Sequence, residues 1–239
     1  MINGPAKPAQ DPANSANTTL DNRQVDRRYL SPILMKTLTL IASLTLVTPA
    51  VAGDPKPLFD GKSTAGWTNR DGGESKWSAT DGTLSRTAKV GDVWSKGRYG
   101  DFVLSLEFNT KGNSGVFIRT DNPKNPVQTG IEIQVNKPGG PGKHSVGALY
   151  DLVAPSKNAA TEGWNKLEVT AKGNMISVVL NGEKICEMDL DKWTTPNKNP
   201  DGSKNKFKTA LKDFKREGHI GFQDHGADVS YRNITIREL

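Results

Sequence analysis

Residues 111–136 hold the densest set of side chains able to do chemistry. Side chains on a strand alternate between faces. In Ser114–Thr120 that puts Val116 and Ile118 on one side, Phe117 and Arg119 on the other. In residues 130–136 it puts Ile131, Ile133 and Val135 on one side, Glu132, Gln134 and Asn136 on the other. A carboxylate, a guanidinium and two amides on one face suit the floor of a binding cleft. A solvated sheet face carries the same residue types. Glu132 is the only acid in this set, since Gln134 and Asn136 follow it. A retaining glycosidase holds two carboxyl groups about 5–5.5 Å apart. That pair is not available on this strand; chemistry with a single acid is.

Other candidates are spread along the chain. Asp224 and His225 lie in Gln-Asp-His-Gly. Histidine titrates near neutral pH, so His225 suits an acid/base role; turn capping by Asp224 is an equal alternative. Asn113, in Gly-Asn-Ser-Gly, is either a turn residue or a ligand. Tyr150, Trp164 and Trp193 could stack on a sugar ring or pack in a core. Arg232 and Asn233 follow Tyr231 and could face a ligand or the opposite sheet. His144, His219 and His225 are the only histidines, and no His-x-His or Cys-x-x-Cys occurs. No metal site or cofactor is therefore expected, with an oxygen-ligand divalent cation on scattered Asp and Asn side chains left open.

The elements that must carry these residues are short strands. Asp81-Gly82, Gly173-Asn174 and Asn181-Gly182 each separate alternating runs, the signal of a tight hairpin. Residues 102–109 alternate with Phe102, Leu104, Leu106 and Phe108 on one side. About a dozen such runs with scarcely a helix predict a β-sandwich or barrel. Residues 191–217 differ: they are rich in Pro, Asn and Lys, with helix-like spacing at Phe207, Leu211 and Phe214. They read as a long loop with one short helix, covering an edge or a cleft.

The chain has 239 residues and a formal net charge of +6. Residues 1–34 are polar and aperiodic, a disordered or non-native extension. Residues 35–52 have one Lys, a short apolar run and Ala50-Val51-Ala52, the pattern of a secretory signal peptide. The run is too short to span a membrane. Translation is expected to start at Met35, with export to the periplasm or beyond, leaving one domain over residues 53–239. That domain keeps 27 Lys/Arg against 23 Asp/Glu. So mild and scattered an excess does not fit nucleic-acid binding. Cys186, the only cysteine, sits at an apolar strand position and is expected to pack.

Taken in order, LFDGKSTAGW, GNSGVFIRT, GIEIQV, GALYD, EGWNKLEV, LNGEK and GHIGFQDHG resemble the 3-keto-disaccharide hydrolase family over residues 57–239. The insertion at 193–214 resembles one branch of it; residues 1–34 have no counterpart there. The resemblance implies an all-β, concanavalin A-like jelly-roll sandwich of two curved antiparallel sheets with the ligand on one face. It implies cleavage of 3-keto-glycosides, beside a sugar 3-oxidoreductase that makes the ketone. A C3 ketone acidifies the C2 proton, so a base can drive loss of the C1 substituent, and water then adds back. On that reading Glu132 is the base, Arg119 the electrophile over the C3 oxygen and His225 the acid/base partner. Gln134, Asn113, Asp224, Tyr150, Trp164 and Trp193 bind substrate. The alternative is a non-catalytic carbohydrate-binding module, which needs the aromatics and amides but not Glu132.

Overall fold

The computed structural model describes residues 53–86 and 88–239. The extension and the signal segment lie outside the described residues. Thirteen strands run in chain order: β1 (Lys56–Pro57), β2 (Trp67–Thr68), β3 (Ser78–Thr80), β4 (Thr83–Arg86), β5 (Val93–Ser95), β6 (Phe102–Thr110), β7 (Ser114–Thr120), β8 (Ile131–Val135), β9 (Asn165–Lys172), β10 (Met175–Leu180), β11 (Glu183–Asp189), β12 (His219–Phe222) and β13 (Val229–Glu238).

They form two antiparallel sheets. The larger has eight strands in the order β11-β10-β9-β6-β13-β4-β3. Strand β1 pairs with residues 235–236 of β13, beyond the stretch that β4 takes. The smaller sheet has the order β2-β5-β12-β7-β8. The fold is all-β, a concanavalin A-like jelly-roll sandwich as the resemblance implied. The hairpins fall at the expected turns, with Asp81, Gly82, Gly173, Asn181 and Gly182 at positive φ.

The core lies between the sheets. Phe102, Leu104, Leu106 and Phe108 of β6 meet Val116 and Ile118 of β7 and Ile131, Ile133 and Val135 of β8. Their burial is the main stabilising term, about 1.5–3 kcal/mol for each large apolar side chain. Phe207, Leu211 and Phe214 also bury into this core, but the helical spacing yields only a 3-10 turn, Leu211–Asp213. Among the described residues the one α-helical turn is Pro126–Thr129, between β7 and β8. Cys186 is buried, and burial pushes its thiol up to about 11. Among the described residues no helix is long and apolar enough to cross a membrane.

Candidate functional site

Because the apolar residues of β7 and β8 point inward, their alternate residues share the outer face of the five-stranded sheet. Strand pairing sets these in two rows. The first runs Trp94, Gly221, Phe117, Glu132 across β5, β12, β7 and β8. The second has Gly115 level with Gln134, and the Gln223 amide donating to the Gly115 carbonyl at 2.9 Å. Since Phe222 pairs with Val93, Gln223 lies level with Asp92. Residues 147–150 extend the sheet beyond β8. The Tyr150 amide donates to the Glu132 carbonyl and the Gln134 amide to the Ala148 carbonyl, both at 2.9 Å. Tyr150 thereby joins the first row.

Two glycines make the rows possible. A Cβ on Gly115 would come within 2.3 Å of Glu132 Oε1, and one on Gly221 within 2.3 Å of the Trp94 ring. So the Glu132 carboxyl lies down over β7, and the indole lies over β12 beside Phe117, with ring centroids 5.5 Å apart. A glycine inside an alternating strand is the sequence signal of such an approach.

Glu132 is 5% exposed and Trp94 1%. Glu132 Oε2, Trp94 Nε1 and Gln223 Oε1 are buried polar atoms with no hydrogen-bond partner among the described residues. Leaving such atoms unpaired costs about 1–3 kcal/mol each, and three of the five orphaned side-chain atoms found among the described residues share this face. Burial pushes the Glu132 carboxyl up to about 8, with Lys206 pulling it down and Asp92 pushing it further up. Lys206 reaches over from the 191–217 segment. Its ammonium lies 2.7 Å from the Tyr150 hydroxyl and 4.0 Å from the Tyr150 ring centroid, and the His144 and Tyr150 ring centroids are 4.8 Å apart.

The other candidates divide. Gln134 Nε2 donates to Asn113 Oδ1 at 2.7 Å and to the Ser114 carbonyl at 2.9 Å, so Gln134 and Asn113 join Glu132 and Tyr150. Arg119 does not. The β7–β12 register slips by one residue here: His219 pairs with Thr120, although Gly221 pairs with Phe117. Arg119 takes the extra position, with φ 50°. Such a bulge re-aims a side chain. The Arg119 guanidinium turns to the Gly100 carbonyl (2.8 Å), the Gly173 carbonyl (2.7 Å) and Asp101 (2.8 Å). It ties β7 to loops of the larger sheet, and its placement beside Glu132 by simple alternation is corrected.

Asp224 is also spent on structure. Its Oδ1 accepts from Arg86 Nε (2.7 Å) and the Gly226 amide (3.2 Å), and its Oδ2 from the Val90 (2.7 Å) and Gly91 (2.8 Å) amides. Burial alone would raise this carboxyl; the Gly91 and Val90 amides and Arg86 hold it below the usual range. The capping alternative thus describes it. His225 is exposed beside Asp92, within electrostatic reach. Trp164 lies beneath Arg232, with Cζ 4.0 Å from the ring centroid. Arg232 and Asn233 both bind Glu107, on the outer face of the other sheet. Trp193 is in the core, donating to Asn199 at 2.9 Å. Neither tryptophan reaches the Glu132 face. The residues that sequence reasoning missed are Asp92, Trp94, Gln223 and Lys206. They come from chain segments outside 111–136; strand pairing brings in Asp92, Trp94 and Gln223, and the 191–217 segment brings in Lys206 through Tyr150. Among the described residues, no group of three or more His, Cys, Asp or Glu side chains could hold a metal ion.

Comparison with known proteins gives one consistent answer. The 3-keto-alpha-glucoside-1,2-lyase-like domain family matches residues 54–237. A 3-keto-disaccharide hydrolase of Bacteroides thetaiotaomicron is 29% identical, over 82% of each chain. Two Parabacteroides distasonis crystal structures, both described as candidate glycosyl hydrolases, are similar in fold. The first is 33% identical with a TM-score of 0.70, covering 78% of this chain and all of that one. The second is 25% identical with a TM-score of 0.63, covering 77% of this chain and 94% of that one. With 184 consecutive residues matched and the sandwich those relatives share, the chain belongs to the 3-keto-alpha-glucoside-1,2-lyase-like domain family.

Proposed function

We propose that this protein is an exported glycoside hydrolase that cleaves 3-keto-glycosides, 3-keto-disaccharides among them, by elimination and then hydration. The observation that carries the reading is Glu132: a carboxyl buried on the outer face of the five-stranded sheet, with one oxygen lacking any partner among the described residues. A relative named for action on 3-keto-disaccharides supports the substrate class. Export rests on the signal-like residues 35–52, and the need for a sugar 3-oxidoreductase on the substrate's oxidised carbon.

The surroundings of Glu132 favour its protonated form at neutral pH. A neutral carboxyl in a dry site is a hydrogen-bond donor, suited to the oxygen of a ketone turning into an enolate. We therefore assign Glu132 that role in place of the base role read from the sequence. Tyr150, held by Lys206, offers a second donor and a positive charge at the same end. Gln134 and Asn113 orient sugar hydroxyls, and Trp94 and Phe117 give an apolar floor.

The reaction itself supplies the test. Turnover of a 3-keto-disaccharide in D2O is expected to yield 3-keto-glucose carrying deuterium at C2, read by NMR or mass spectrometry. Product without deuterium at C2 rules out elimination; no turnover of any 3-keto-glycoside, with glycan binding retained, makes the protein a binding module. Gly115→Ala probes the site without replacing a polar residue. The new methyl must push the Glu132 carboxyl aside, and kcat/KM is expected to fall about 100-fold while the circular dichroism spectrum is unchanged.

A further inference from the structure

The outer face holds a second carboxyl. Asp92 precedes β5 and lies level with Gln223, two strands from Gly115, over which the Glu132 carboxyl rests. Two strand spacings put its backbone about 10 Å from that of Gly115; the Glu132 carboxyl lies over Gly115, and the Asp92 carboxyl accepts the Asp224 amide at the end of the intervening strand β12. A pyranose ring fits that span.

The two carboxyls have opposite surroundings. Glu132 Oε2 has no hydrogen-bond donor among the described residues. Asp92 Oδ1 accepts the Asp224 amide at 2.8 Å; Arg70 and His225, within electrostatic reach, favour its charge, and the Asp224 carboxylate opposes it. A charge on Glu132 is costly, while a charge on Asp92 has partners. Burial nonetheless raises the Asp92 carboxyl above its ordinary range, which makes the carboxylate a stronger base.

Asp92 also borders a cleft of about 500 Å³, lined by Asn69, Arg70, Lys76, Lys89 and Gly91 among others. Across the face the order is then Glu132, Asp92, cleft. Along the substrate the order is the C3 oxygen, the C2 hydrogen, then the C1 substituent. The two sequences match.

Resting on the proposed reaction, we propose that Asp92 is the catalytic base at C2, and that the cleft beyond it receives the group leaving C1. The Asp92 carboxylate takes the C2 proton and the electron pair moves to the C3 oxygen, held by Glu132. The enolate re-forms the ketone, C1=C2 forms and the C1–O bond breaks. The departing oxygen takes the proton from Asp92. In the second half, Asp92 takes a proton from water, the hydroxide adds to C1, and the proton returns to C2. Asp92 ends as it began, and the sum is hydrolysis.

Asp92→Asn retains an Oδ1 that can accept the Asp224 amide. The variant is expected to bind a 3-keto-disaccharide within about threefold of wild type, yet to lose deuterium incorporation at C2 by at least about 100-fold. Turnover by the variant within threefold of wild type overturns the proposal. The wild-type pH profile decides independently, should the variant not fold: kcat/KM is expected to fall above about pH 8, as Glu132 loses its proton while the Asp92 carboxylate persists. A kcat/KM that instead rises through pH 8 makes Glu132 the base and removes Asp92 from that role. If wild type turns over no 3-keto-glycoside, the reaction class fails, and that result is distinct from either.

Discussion

Glu132→Ala is expected to lower kcat/KM for a 3-keto-glycoside by about 100- to 1,000-fold, the cost of removing one donor aimed at a developing oxyanion. Glu132→Gln is expected to lose far less, about 10-fold, because the Gln amide can still donate from the same place. A base has no such substitute, so a Gln variant as inactive as the Ala variant would contradict the donor role. The same variant carries a stability signature. The Glu132 carboxyl titrates at 4.5 when unperturbed and at about 8 in the folded protein. Folding therefore takes up a proton between those values. The stabilising contribution is complete below pH 4.5, is lost as pH rises through the window, and is gone above about 8. Glu132→Gln does not titrate. Its stability relative to wild type should rise with pH, by about 1.4 kcal/mol per unit, reaching on the order of 4 kcal/mol at pH 8. Chemical denaturation at pH 4.5 and pH 8 reads this directly; an equal difference at both values would show that Glu132 is not held neutral.

Arg119→Met has the opposite profile. The guanidinium is 1% exposed and bonds two loop carbonyls and Asp101. Removing it leaves those acceptors unpaired and unties β7 from the larger sheet. The expected loss is about 3–5 kcal/mol, or on the order of 10 °C in Tm for a domain of this size. Turnover per folded molecule below the transition should stay within a few-fold of wild type. A stable Arg119→Met protein with an abolished kcat would put the guanidinium back in the chemistry.

Much of the fold was legible because its signals are local. Asp-Gly and Asn-Gly turns need positive φ, and alternating apolar residues need one buried face. Both constraints act within a few residues, so hairpins, inward residues and the polar face of β8 can be read from the chain in order. Glu132 and Gln134 were found in this way. The local rule broke down at Arg119, because one extra residue in β7 reverses alternation and no residue type announces a bulge. It broke down again at Trp164 and Trp193, where aromatic character is the same under an arginine, in a core or over a sugar.

Turn signals, alternation and ordered motifs are enough to give a sandwich, its family, and one acid on a strand face. The second acid on that face, Asp92, comes into view through strand order in space. Asp92, Gln223 and Gly115 are level across the sheet, and Glu132, one row away, leans its carboxyl over Gly115, because strand order joins β5, β12, β7 and β8 side by side. The upward push on the Glu132 carboxyl is likewise a matter of surroundings in space, since the free energy of a charge depends on them, and the charged groups involved are 114 residues apart in sequence, Asp92 and Lys206.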